Sequence, residues 1–151
     1  MSGLIIIAHA PLASALKMAA QHCFPEAAAS LQALDVHSQQ TPEELEAQAR
    51  IMVETARDGD SRGEVLILTD VFGATPCNVA QNLVDGTEIK LLTGVNLPML
   101  LRTVCYRQER LEALVTRALN GASQGIMQVA ITAPQNQQRR SHDSYSRDHQ
   151  Q

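Results

Sequence analysis

Glu64-Val65-Leu66-Ile67-Leu68-Thr69-Asp70-Val71-Phe72-Gly73-Ala74-Thr75-Pro76-Cys77-Asn78 is the stretch whose reading decides the fold. Glu64 to Leu68 is a run of strand length, rich in aliphatic and β-branched residues, with Gly63 ahead of it. A run apolar at nearly every position suits a strand buried on both faces, as in a parallel sheet. Thr75 followed by Pro76 reads as an N-cap and first helical position. The stretch is therefore strand, tight turn and helix start, with Asp70 at the carboxyl end of the strand. In open α/β sheets that edge is where ligands and chemistry gather. The backbone N–H groups following Thr75 point back towards Asp70 and favour an anion.

A second buried-strand run, Gly3-Leu4-Ile5-Ile6-Ile7-Ala8, ends at His9. Two parallel strands of one sheet would deliver His9 and Asp70 to the same edge. A neutral imidazole is a competent nucleophile near neutral pH. The small neighbours Ala8 and Ala10 leave room for a partner to reach it. The plain structural alternative is a half-buried histidine satisfied by a backbone carbonyl, with Asp70 a turn acid capping the next N–H groups.

Composition narrows the classes. At 151 residues, with 44% apolar residues, the chain is long enough for one domain with a packed core. Aromatics are only 3% and tryptophan is absent, so Ala, Leu, Val and Ile must build that core. A net charge of −4 offers no basic footprint for nucleic acid or acidic lipid. The three cysteines, Cys23, Cys77 and Cys105, lack metal-ligand spacing and suggest a reducing compartment. Neither a signal-like segment nor a run approaching ~20 apolar residues is present, so a cytoplasmic protein without membrane insertion is expected. The absence of HxH, HExxH and CxxC spacings predicts no metal, and the absence of phosphate-loop fingerprints leaves nucleotide binding unsupported; no cofactor is expected.

Along the chain, Leu12–Cys23 has helical spacing, with Pro11 suited to the first turn, and Pro25 follows. Ser30–Val36 reads as a strand. Thr41-Pro42-Glu43-Glu44 is a capping box with a proline at the first helical position. It opens a helix carrying Leu45, Ala49, Met52, Val53 and Ala56, closed by Asp58-Gly59-Asp60. The helix from Pro76 runs through Leu83, and Asp85-Gly86 stops it. Glu88–Thr93 is a strand leading into Gly94-Val95-Asn96-Leu97-Pro98, then helices over Met99–Tyr106 and Glu109–Asn120, the latter ending at Gly121. Gly125–Ile131 reads as a fifth strand. Strands alternating with helices predict a doubly wound parallel sheet. From Pro134 the sequence is polar apart from Tyr145, and 134–151 is expected to be a disordered tail, His142 and His149 included, behind a domain of residues 1–133.

Other candidates sit near the same edge. Thr75 is either an N-cap or a phosphate contact through the same hydroxyl. Cys77, in the first helical turn, is either a buried filler or a thiol activated by the helix dipole. Asn96 and Pro98 either line the site or simply begin a helix. His22 and His37 have no evident partners.

Three stretches resemble one family: Ile5-Ile6-Ile7-Ala8-His9-Ala10, Asp70 through Asn78, and Leu92-Thr93-Gly94-Val95-Asn96-Leu97-Pro98-Met99-Leu100. Together they look like the enzyme IIA domain of the mannose-type branch of the bacterial phosphoenolpyruvate:sugar phosphotransferase system, over about Met1 to Pro134. The resemblance implies a phosphorylated His9, hydrogen-bonded by Asp70, on adjacent first and third strands. It implies Phe72, Gly73, Ala74 and Thr75 around the phosphoryl group, with Asn96 and Pro98 lining the site. It implies an α/β, doubly wound, mostly parallel five-stranded sheet with helices on both faces. The last strand, Ile126–Ile131, would be antiparallel and exchanged in a homodimer across a flexible Gly121–Gly125 crossover. HPr would be the donor and a IIB domain the acceptor. Family members commonly carry Gly after the active histidine, where this chain has Ala10 and Pro11. In many members a linker and a IIB domain follow; here a free-standing IIA is expected, which would meet its acceptor in trans. Two rivals stay open: a regulatory module signalling by His9 phosphorylation, and a hydrolase or transferase using Asp70 or Cys77 as nucleophile.

Overall fold

The computed structural model describes residues 1–131 of the chain. The expected domain boundary at 133/134 and the polar tail 134–151 lie outside the described residues. Nine elements follow in order: β1 (Gly3–His9), α1 (Leu12–Cys23), β2 (Gln32–Val36), α2 (Pro42–Asp58), β3 (Val65–Thr69), α3 (Thr75–Gln81), β4 (Ile89–Leu92), α4 (Leu97–Cys105) and α5 (Leu111–Gln124). The sheet order is β2-β1-β3-β4 and every pairing is parallel.

The aliphatic runs account for the centre. Every residue of β3 is buried, and so is every residue of β1 except His9. Strands covered on both faces need no polar alternation. Ile5, Ile7, Val65 and Ile67 pack against α2 and α3 through Leu45, Ala49, Val53, Val79 and Ala80. Leu4, Ile6, Leu66 and Leu68 pack against α1, α4 and α5 through Leu16, Met99, Leu100, Leu111 and Leu114. Each Val, Leu, Ile or Met side chain among these contributes about 1.5–3 kcal/mol on full burial. The domain is thus doubly wound, with its core in two layers either side of β1 and β3.

Helix starts follow the local chemistry in part. Thr41 Oγ1 accepts from the Glu44 amide while the Glu44 carboxylate accepts from the Thr41 amide, the expected capping box. Asn96 caps α4 in the same manner, accepting from the Met99 amide at 2.8 Å. At α3, however, Ala74 occupies the N-cap and Thr75 is already the first helical residue, so the expected Thr75 cap is not made.

Two expectations at the C-terminal end are corrected. α5 continues to Gln124, so Gly121 lies inside a helix and Gly121–Gly125 is not a flexible crossover. These glycines serve close approach instead. A Cβ on Gly121 would stand 2.7 Å from Arg102 Cβ, and one on Gly125 would stand 2.2 Å from Pro98 Cβ. The sheet has four strands, not five. Ile126, Val129 and Ile131 are 75%, 85% and 87% exposed and join no ladder. A strand needs a neighbouring backbone to pair its amides, and among the described residues the segment finds none. The expected antiparallel pairing and its exchange would need a second copy of the chain.

Candidate functional site

The register of β1 on β3 sets Ile7 beside Thr69, so the residues following each, Ala8-His9 and Asp70, emerge together at the carboxyl edge. His9 Nδ1 lies 2.6 Å from Asp70 Oδ2. The His9 backbone N–H donates to the same oxygen at 3.0 Å, and the Val71 N–H donates to Oδ1 at 2.9 Å. Asp70 is nearly buried, whereas the His9 side chain is 52% exposed.

The charge state of Asp70 follows from opposing effects. Burial pushes its pKa up. The hydrogen bonds from the His9 amide, the His9 ring and the Val71 amide outweigh burial and hold the carboxyl below its ordinary range. An ionised carboxylate only accepts, so Nδ1 must carry the proton in their mutual bond. In the neutral ring the lone pair then sits on Nε2, the nitrogen facing away from Asp70.

The loop after β4 holds the strand end from the other side. The Gly94 N–H donates to the Asp70 carbonyl and the Val95 N–H to the Thr69 carbonyl, each at 3.0 Å. Gly94 has φ +82° and Gly73 has φ +85°, which side-chain-bearing residues rarely adopt. Gly73 so turns the chain between Asp70 and α3. Val71 and Phe72 project outward beside it, 51% and 73% exposed. Since Ala74 has no side-chain acceptor and Pro76 has no N–H, the first-turn amides of Thr75 and Cys77 have no capping side chain, while Asn78 N–H bonds the Ala74 carbonyl.

The structure thus brings together His9 and Asp70, and the Phe72–Thr75 turn follows Asp70 directly along the chain into α3. Asn96 and Pro98 are engaged otherwise. Asn96 spends its oxygen on the α4 cap and donates its amide to the Ala122 carbonyl at 3.3 Å, while Pro98 packs on Gly125. Cys77 is 2% exposed and belongs to the core. His22 and His37 are exposed, away from any ion pair among the described residues. Sequence reasoning missed Asp35, which accepts from both the Ser14 amide, at 3.0 Å, and the Ser14 hydroxyl. Its only signal was an acid near the end of a predicted strand. No group of three or more His, Cys, Asp or Glu among the described residues could hold a metal ion. No helix among them is long and apolar enough to cross a membrane.

A histidine–aspartate pair at the carboxyl edge of a doubly wound parallel sheet is the class of site this domain carries. The family described as the PTS system fructose IIA component matches residues 3–119, and the chain belongs to that family. The PTS system fructose-specific EIIA component of Bacillus subtilis is 34% identical over 74 residues, covering 48% of this chain and 51% of that protein. The PTS system mannose-specific EIIAB component of Escherichia coli K12 is 33% identical over 70 residues, covering 44% of this chain and 22% of that protein. The chain thus spans about half the length of the first relative and under a quarter of the second. Among solved structures, the EIIA component from Streptococcus agalactiae superposes with a TM-score of 0.73 at 25% identity, over 85% of this chain and 97% of that one. The mannose/sorbose-specific IIA subunit from Enterococcus faecalis superposes with a TM-score of 0.75 at 19% identity, over 86% and 96%, a likeness of fold.

Proposed function

We propose that this protein is a phosphoryl carrier of the sugar phosphotransferase system, taking phosphate from the phosphohistidine of HPr onto His9 and passing it to a IIB acceptor. The observation that carries this reading is the 2.6 Å contact of His9 Nδ1 with Asp70, which leaves Nε2 free and the ring half exposed. Nε2 attacks phosphorus in line as the bond from phosphorus to the donor imidazole breaks and its electron pair returns to that ring. The His9 ring becomes cationic, and Asp70 balances the charge through the Nδ1 proton without taking it. The reverse sequence hands the group to the acceptor. Little covalent work falls to the protein, so positioning and charge stabilisation dominate. The Gly73–Thr75 turn supplies backbone amides for the phosphoryl oxygens. The chemistry needs neither metal nor nucleotide.

The rival nucleophiles fare worse. Cys77 is sealed in the core, and Asp70 accepts three hydrogen bonds that occupy its lone pairs. A homodimer is part of the same proposal. β4 is one of the two edges of the sheet, and the exposed apolar segment 126–131 of a second copy can pair with it.

Incubation with phosphoenolpyruvate, enzyme I and HPr tests the reading. One acid-labile, base-stable phosphoryl group per subunit is expected, absent in His9→Ala and retained in Cys77→Ser. Uptake by His9→Ala together with loss in Cys77→Ser would replace it with the thiol mechanism.

A further inference from the structure

His9 is held from both neighbouring strands, and only one of the two holds belongs to the pair already described. On the β3 side Asp70 binds it directly. On the β2 side the register sets Ala8 beside Asp35 and His9 beside Val36. The chain leaves His9 with the Ala10 N–H donating to the Val36 carbonyl at 3.0 Å. It then enters α1, whose N-cap is Pro11, a residue with no side-chain acceptor. A helix start without a cap leaves its first-turn amides unsatisfied. Here the missing acceptor comes from another strand. Asp35 Oδ1 accepts from the N–H of Ser14, the third helical residue, at 3.0 Å, and Oδ2 accepts from the Ser14 hydroxyl.

We infer that Asp35 is a positioning residue for His9: by capping α1 from β2 it fixes the Ala10-Pro11 turn and so the aim of the imidazole at the incoming phosphorus. Asp35 does not touch the ring, and it acts through the backbone. Residues 10 to 14 are tied to β2 at both ends, by Ala10 to Val36 and by Ser14 to Asp35. Release of the second tie leaves the Ala10 N–H to Val36 bond as the remaining hydrogen bond from this turn to β2, next to the reacting residue. In-line transfer is sensitive to such changes, since misplacement by about 1 Å can cost on the order of 10²-fold. The cap is also separate from the catalytic charge, because the partner of the His9 Nδ1 proton is Asp70 alone among the described residues.

The inference rests on the phosphoryl-carrier reading for its kinetic arm and on the fold alone for its spectroscopic arm. In single-turnover transfer from phosphorylated HPr, at a temperature where circular dichroism shows every variant folded, Asp35→Ala should lower the rate constant about tenfold or more. HPr concentration for half-maximal rate should change little. Asp35→Asn keeps an oxygen for the Ser14 amide and should recover to within about threefold of wild type. In the unphosphorylated protein, the nitrogen-15 signals of the His9 ring should move in Asp35→Ala towards a mixture of tautomers, and stay near wild type in Asp35→Asn. If wild type takes no phosphate, the carrier reading fails while the ring signals still decide the role of Asp35. A folded Asp35→Ala with wild-type ring signals, or with wild-type transfer where wild type transfers, overturns the inference. So does an Asp35→Asn as impaired as Asp35→Ala.

Discussion

Whether an imidazole is structural or reactive depends on which nitrogen is left free, and at His9 a single carboxylate decides it. Asp70 accepts the hydrogen bond from Nδ1–H, so the lone pair of the neutral ring is on Nε2. Asp70→Ala should fold yet accept phosphate about 10²-fold more slowly, because one orienting and charge-stabilising contact is lost; single-turnover rates check this. The same residue predicts a pH dependence. Its carboxyl is held below the ordinary range in the folded protein, burial opposing and the His9 and Val71 hydrogen bonds prevailing. A depressed folded pKa gives stability that is present above the unfolded value of about 4 and lost as pH falls through the folded one. The stability gap between wild type and Asp70→Asn in urea titrations should therefore shrink from neutral pH to about pH 3. A gap that widens on acidification contradicts the assigned charge state.

At the scale of elements, α4 and α5 show a local residue pattern whose partners are supplied by the packing of the two helices. Asn96 looked like either a site-lining residue or a cap, and its side chain joins α4 to the Ala122 carbonyl of α5. Asn96→Ala should cost about 1 kcal/mol of stability and leave phosphoryl transfer unchanged within error; a slowed transfer in a stable protein would return it to the site. Gly121 read as a helix stop because glycine commonly ends helices, a local preference. Its cause is tertiary, since Arg102 Cβ and the Pro98 carbonyl lie where a side chain would go. Gly121→Ala gains about 1 kcal/mol of helix propensity but overpacks the α4–α5 contact. A net loss of up to about 2 kcal/mol of unfolding free energy, read as a lowered denaturant midpoint, is expected.

For the whole molecule, the open question is what covers Ile126, Val129 and Ile131. These side chains lie on an unpaired segment, and among the described residues the β4 edge of the sheet is unpaired as well. Exposed apolar strand and exposed edge are each a liability, and pairing between two copies removes both. Sedimentation should give a dimer. Truncation after Gly125, beyond the end of α5, should give a monomer or an aggregating protein. A wild-type monomer, or a truncated dimer as stable as wild type, rules out pairing through this segment. Removal of 135–151 should leave transfer unchanged.

The aliphatic runs ending at His9 and Asp70, the capping box at Thr41 and the alternation of strands with helices follow from neighbours within a few residues, so the sequence alone determined the doubly wound class and singled out the two residues that the fold pairs, His9 and Asp70. A resemblance in the three stretches pointed to the same family that residues 3–119 match. Helix ends and strand partners depend on contacts distant along the chain. That Ala74 rather than Thr75 stands at the N-cap of α3, that α5 passes through Gly121, that Asp35 caps a helix starting 23 positions earlier, and that 126–131 finds no ladder among the described residues were decided only by tertiary structure. The physical reason is that a hydrogen-bonding group takes whichever partner the packed elements bring within reach, and only the folded arrangement of the sheet and its helices sets that reach.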